Sequence, residues 1–168
     1  MTINYNIIYL YVLLLEQNKY YIGITYTLEK RLRKHFITNN GSVFTKEYMP
    51  IKIIEIIKFI DIDYVNVLLY ENVYTIFYSN IYNIQNVAGG SFVFVDDNRR
   101  KENINGWIQN RNININEIVK KINTFEKIDI KTLQNDIDIL KNLSKKKQES
   151  YYNSIDYKEK FKNQLKLF

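Results

Sequence analysis

The stretch Tyr9-Leu10-Tyr11-Val12-Leu13-Leu14-Leu15, then Glu16-Gln17-Asn18-Lys19, then Tyr20-Tyr21-Ile22-Gly23-Ile24-Thr25 decides the fold. Two runs rich in Tyr, Ile, Val and Leu flank four polar residues, which is the pattern of a β-hairpin. Residues 7–15 and 20–25 are read as its strands, with Tyr11 and Tyr21 inside them and Gly23 marking a close approach to the backbone. Directly after it, Leu28, Arg31, Leu32 and His35 recur at i, i+3, i+4 and i+7 and share one helical face. A helix over 27–37 follows, with Leu28, Leu32 and Phe36 as its apolar stripe and Lys30, Arg31, Arg33 and Lys34 as its basic residues. Thr25 or Thr27 can cap it, and Gly41 is the natural left-handed stop beyond its end. The hairpin and helix together can bring two tyrosines, an arginine and a histidine to one place.

Working outward, residues 43–48 read as a polar-aromatic loop closed by the only proline, Pro50. The β-branched run 51–60 reads as a third strand, antiparallel to the hairpin. Asp61 or Asp63 then caps a helix over 64–80 that is apolar on most faces, as a buried helix is. Its one charged residue is Glu71. A carboxylate there costs several kcal/mol, as a rough estimate, unless it is paired, protonated or bound to a metal. Residues 85–90 read as a turn and 91–95 as a short strand. The fold class is α+β: a three-stranded antiparallel sheet flanked by helices in the order β-β-α-β-α. Asp96-Asp97-Asn98-Arg99-Arg100 breaks the apolar pattern, so one domain is drawn over 1–95 and a basic helical C-terminal extension over 96–168. In the extension, Ile118, Val119, Ile122 and Phe125 mark one amphipathic helix, and Ile130, Leu133, Ile137 and Leu140 another. An aromatic and basic end follows, with Lys145, Lys146, Lys147, Tyr151, Tyr152, Tyr157 and Phe161.

The chain has 168 residues and a net charge of +6. Residues 1–95 hold 8 basic and 7 acidic side chains and residues 96–168 hold 16 and 11, so the excess lies in the extension. A basic tail suits a phosphate backbone; a solvated helical surface has the same composition. There is no cysteine, which excludes disulfides, zinc–thiolate sites and cysteine nucleophiles. The longest apolar run, 7–15, is far short of the roughly 20 residues of a membrane span. No basic segment precedes it, so no signal peptide is expected, and the chain reads as soluble and intracellular, cytoplasmic or nuclear.

Tyr9-Leu10-Tyr11, Tyr21-Ile22-Gly23, Arg31 ten residues after Tyr21, His35 four further on, then Glu71 and, fifteen later, Asn86 form an ordered set. With this set the chain resembles the GIY-YIG nuclease family over about residues 7–95. Gly41-Ser42-Val43-Phe44-Thr45-Lys46 with Pro50 behind it, and Asn86-Val87-Ala88-Gly89-Gly90-Ser91-Phe92, look like loops of one branch of that family. The first motif keeps only its second tyrosine, and Ala88 stands where that branch often has arginine. The resemblance implies a metal-dependent endonuclease acting on DNA with Mg²⁺ or Mn²⁺. By the same resemblance Tyr11 is the general base or water positioner, Tyr21 assists it, Arg31 binds the scissile phosphate, His35 relays a proton or donates to phosphate, Glu71 holds the metal and Asn86 positions by hydrogen bonding. Lys34, Lys46 and Thr45 are the expected nucleic-acid contacts.

Physical chemistry is compatible with those roles. Hydrolysis of a phosphodiester needs an activated water, a stabiliser of added negative charge and help for the leaving oxygen. Arg31 offers a planar donor fork matched to phosphate. A tyrosine, with an ordinary pKa of about 10, acts as a base only where cations or hydrogen bonds favour the phenolate. Taken singly, each residue has a plainer reading: tyrosines fill cores, a helical histidine makes structural hydrogen bonds, and Asn86 before two glycines caps a turn. Two other functions fit the composition, a catalytically inactive nucleic-acid-binding protein on the same fold and an interaction protein driven by the tail helices.

Overall fold

The structure is a computed structural model, and it describes residues 6–152. Strands β1 (Ile7–Leu15) and β2 (Lys19–Thr25) form the hairpin. Its connection is a single 3-10 turn, Glu16–Asn18, in which Gln17 and Asn18 take left-handed φ of 58° and 56°. Strand β3 (Pro50–Ile60) lies antiparallel on the other side of β1. Tyr11 pairs with Gly23 in the hairpin register and Leu13 with Tyr21.

The sheet is larger than the three antiparallel strands read from the sequence. It is mixed and five-stranded, in the order β4-β2-β1-β3-β5. Strand β4 (Val87–Gly89) runs parallel to β2, and β5 (Glu126–Lys127) runs antiparallel to β3. Neither leaves a period-2 pattern: β4 is three residues, two of them Ala and Gly, and β5 is a pair of charged side chains. The strand expected at 91–95 is absent; that segment meets the sheet only through a bridge from Phe92 to Gly89. The turn expected at 85–90 is a 3-10 turn, Ile84–Asn86, that leads straight into β4.

Helix α1 spans Leu28–Phe36 and helix α3, after β3, spans Tyr64–Tyr82. Between α1 and β3 the expected loop contains a short helix, α2 (Val43–Glu47), started by Ser42 and Thr45 bonding to each other's backbone amides. Alternation along β1 sends Ile8, Leu10 and Val12 to one face, where α3 supplies Val67, Tyr70, Val73 and Tyr74. Tyr11 and Leu13 point to the other face, against Leu32 and Phe36 of α1 and Phe44 of α2. Each fully buried side chain of this kind contributes about 1.5–3 kcal/mol. Helix α3 is buried on most sides because the sheet covers one flank and a later helix another.

Packing continues across the boundary drawn at residue 96. Helices α4 (Asp97–Gln109), α5 (Ile115–Ile122) and α6 (Ile130–Tyr152) follow it. Val119 and Ile122 of α5 enter the core beside α3, and Ile137 of α6 enters the core beside α1. Gln134 accepts from the Ile53 amide at 2.7 Å, and Lys141 donates to the Pro50 carbonyl at 3.2 Å. Arg100 is fully buried. Its guanidinium pairs with Asp97 at 2.6 Å and donates to the carbonyls of Ile84, Gln85, Phe94 and Val95. Lys145, Lys146 and Lys147 lie exposed on α6, while the aromatic positions Tyr157 and Phe161 fall outside the described residues.

Candidate active site

The hairpin register sets the site. Opposite Tyr11 stands Gly23, and a Cβ there would run into the Tyr11 hydroxyl and ring. The glycine therefore opens the space through which the phenol crosses the sheet surface toward α1. On α1, Arg31 and His35 are four residues apart and project to the same side. Arg31 Nε–H donates to Tyr11 Oη at 3.0 Å, and Tyr11 Oη lies 2.9 Å from His35 Nε2. Tyr21 closes the group, its ring 6.3 Å from that of Tyr11 and 5.3 Å from the His35 imidazole. Burial raises the Tyr21 pKa, while the nearby Arg31 charge and Ser42 hydroxyl act against it.

Helix α2 holds the far side of the imidazole. Thr45 Oγ1 lies 3.0 Å from His35 Nδ1, and it also accepts from the Ser42 amide at 2.9 Å. The sequence places Thr45 among the DNA contacts. That expectation is corrected: Thr45 is 1% exposed, and its hydroxyl is taken up by His35 and Ser42. The spacing Ser42-x-x-Thr45 carried a trace of this arrangement, as the start of a capped helix. Gly41 has a different role from the left-handed stop. The residue at positive φ is Asn39, at 50°. At Gly41 a Cβ would collide with His35 Nδ1 and Thr45 Oγ1, so the missing side chain permits their contact.

His35 is fully buried, and burial followed by the nearby Arg31 charge brings its pKa down to about 3. The imidazole is neutral at pH 7, with one N–H donor and one acceptor. The chain Tyr11–His35–Thr45 therefore has two proton arrangements. In one, Tyr11 donates to Nε2, and Nδ1–H donates to Thr45. In the other, Thr45 donates to Nδ1, and Nε2–H and Arg31 both donate to the Tyr11 oxygen. The second arrangement surrounds that oxygen with donors, which favours a phenolate. Burial raises the Tyr11 pKa and the neighbouring Tyr21 adds to this, while the Arg31 charge and hydrogen bond act against it.

Glu71 reaches the same centre from α3. It is 8% exposed, and burial pushes its pKa up to about 7 against the opposing pull of the Ile24 and Gly90 amides and of Arg31. The Arg31 charge thus acts on Tyr11, Tyr21, His35 and Glu71 alike. Of the residues singled out in the sequence, Asn86 is the one left apart. It sits in the 3-10 turn before β4 and donates Nδ2–H to the Tyr82 carbonyl at 2.9 Å. No hydrogen bond among the described residues joins it to the others. Lys34 and Lys46 are exposed, on α1 and α2.

A residue the sequence reading passed over is Asn72. Its Oδ1 accepts from the Ser91 amide at 2.8 Å, and its Nδ2 donates to Ser91 Oγ at 3.2 Å. This pins the loop whose Gly90 amide faces Glu71. Gly90 has φ of +51°, and a Cβ there would meet Asn72 Oδ1, so two separate constraints select glycine. The available signal was a second polar residue beside Glu71 in an apolar helix, because a buried amide needs partners.

Residues 7–77 match the family model of the GIY-YIG catalytic domain. This part of the chain is similar to that family, which is one of endonucleases, and it contains Tyr11, Tyr21, Arg31, His35 and Glu71. Asn86 and the segment from 78 onward lie beyond the match. No curated protein and no solved structure matches the chain. Among the described residues, no helix is long and apolar enough to cross a membrane.

Proposed function

We propose that this chain is a divalent-metal-dependent endonuclease that hydrolyses DNA phosphodiester bonds, with residues 7–95 as its catalytic part. The observation that carries the reading is Arg31, whose guanidinium bonds Tyr11 and whose charge reaches Glu71. Arg31 binds the scissile phosphate through the guanidinium edge left over from Tyr11 and stabilises the charge that builds up on its oxygens. In its phenolate form, held by Arg31 and His35 Nε2–H, Tyr11 takes the proton of the attacking water and becomes the neutral phenol, and Tyr21 packs against both the Tyr11 and His35 rings. Burial keeps the imidazole neutral, so it can donate on one side while accepting on the other.

The metal donor set is small. Among the described residues there is no group of three or more His, Asp or Glu able to hold an ion, and Glu71 is the one carboxylate at this centre. That suits Mg²⁺ or Mn²⁺, oxygen-seeking ions; Mg²⁺ keeps several waters and takes one or two protein carboxylates. When bound to Glu71, such an ion polarises the phosphate and stabilises the leaving oxygen. The test is cleavage of supercoiled plasmid with Mg²⁺ or Mn²⁺. Parent protein nicks or linearises the plasmid, and EDTA abolishes this. DNA binding in EDTA without cleavage by any divalent ion would instead identify an inactive binder on a nuclease fold.

A further inference from the structure

Tyr64, Leu68 and Glu71 recur on α3 at i, i+4 and i+7 and form one stripe. The stripe is uncovered at its outer end, where Tyr64 is 46% and Leu68 37% exposed, with Val65 beside them at 77%. Tyr26, in the link from β2 to α1, is 52% exposed. Its ring lies close to parallel with that of Tyr64, with centroids 6.0 Å apart and planes at 19°. Burial does not account for this pair, because about half of each side chain stays in water. The distance along α3 from Tyr64 to Glu71 is seven residues, about 10 Å. That is the reach from a reacting phosphate to a neighbouring base.

Cations lie on the neighbouring elements, and Asp63 precedes Tyr64 at the start of α3. Helix α1 follows Tyr26 directly and exposes Lys30, Arg33 and Lys34. The groove beside α3 holds Trp107 with Arg111 over its ring at 4.7 Å, and it ends on Asn72 and Ser91. Exposed aromatic faces between cations are the arrangement by which proteins hold single-stranded nucleic acid, since every base has a π-face to stack. Duplex bases are stacked on one another and have no free face to offer. We propose that the Tyr26–Tyr64 pair is a platform for an unpaired base next to the cut, so that the substrate is DNA with a single-stranded nucleotide at the cleavage position. This rests on Arg31 and Glu71 being the phosphate site.

The test compares binding and cutting by the full chain. Fluorescence anisotropy in EDTA gives the affinity for a labelled single-stranded oligonucleotide and for the same strand annealed to its complement. The variants are Tyr26→Leu/Tyr64→Leu, which keeps an apolar surface without π-faces, and Tyr26→Phe/Tyr64→Phe, which keeps both. The Leu pair is expected to lose about tenfold or more in single-strand affinity, with duplex affinity unchanged within about twofold, and the Phe pair to bind like the parent. Equal losses on both substrates, or none on single strand, in a Leu pair that melts like the parent overturn the proposal. Cleavage with Mg²⁺ separates the two claims. A parent that cuts DNA with no dependence on the tyrosines refutes the platform and keeps the nuclease. A parent that cuts nothing yet shows the tyrosine-dependent preference keeps the platform and refutes the nuclease.

Discussion

The hydroxyl of Tyr11 lies 2.9 Å from Nε2 of His35, with both side chains fully buried. Neither group is charged at rest, because burial raises the phenol and lowers the imidazole. Tyr11→Phe keeps the ring in the core and deletes the oxygen that Arg31 and His35 share. We expect it to lower single-turnover cleavage by about 10²–10⁴-fold, the usual worth of a general base. The loss of stability should be only about 1 kcal/mol, read by urea unfolding.

Glycine positions give a contrast within one protein. Gly41→Ala forces a Cβ against His35 Nδ1 and Thr45 Oγ1, and overpacking of this kind costs about 1–3 kcal/mol. Gly106→Ala, in α4, meets nothing within 4 Å and should stabilise by about 0.5–1 kcal/mol through helix propensity. Paired urea melts of the two variants measure the difference. Gly41→Ala should also lose cleavage, since it moves the imidazole away from Tyr11.

The pH dependence of folding should carry opposite marks from His35 and Glu71. The folded His35 has a pKa of about 3 against an ordinary 6.5. Between those values the unfolded chain binds a proton that the folded one does not. Stability from this group is therefore present above pH 6.5 and drains away as pH falls, by up to about 1.4 kcal/mol per unit. Subtracting the His35→Gln curve from that of the parent should expose this slope.

For Glu71 the order is reversed. Its folded pKa of about 7 lies above the ordinary 4.5, so between those values the folded chain holds a proton that the unfolded chain releases. Its contribution falls as pH rises through that window and levels off above it. In EDTA, Glu71→Gln should therefore gain stability relative to the parent as pH rises from 4.5 to 7, and no further above 7. A flat difference between the two unfolding curves would show that this carboxylate is not held in a desolvated site.

Arg100 ties the segment after residue 96 to the sheet. Removing its guanidinium leaves the carbonyls of Ile84, Gln85 and Val95 without this donor, while the half-exposed Asp97 turns to solvent. Arg100→Ala should cost about 1–3 kcal/mol or more, since buried carbonyls are left without a donor. A fragment ending at 95 should fail to unfold cooperatively, because Val119, Ile122 and Ile137 leave both cores. Thermal scans of the variant and the fragment measure both effects.

The hairpin, α1, β3 and α3 were legible because each repeats its period over enough residues to be seen. Strands β4 and β5 were not, since two or three residues show no period and their pairing is supplied by β2 and β3. The same holds for α2, a five-residue helix that exists through the Ser42–Thr45 bonds and the burial of its Phe44 in the core cluster that also holds Phe36 and Ile137. At the site, Tyr11, Arg31, His35 and Glu71 stood out by residue type and spacing. Thr45 and Asn72 did not, because their value lies in which backbone or side-chain atom they hold, and this is set by packing from elsewhere in the chain. Asn86 rests on the family resemblance, and its amide is spent on the Tyr82 carbonyl.

The most direct measurement is plasmid cleavage by Arg31→Ala and Glu71→Gln with Mg²⁺ or Mn²⁺, alongside the parent and with folding checked by circular dichroism. With Arg31 and Glu71 at one centre, each folded variant should lose at least about 10²-fold in rate, the scale of one transition-state charge contact. Parent-like cleavage by either variant, folded, would contradict the account.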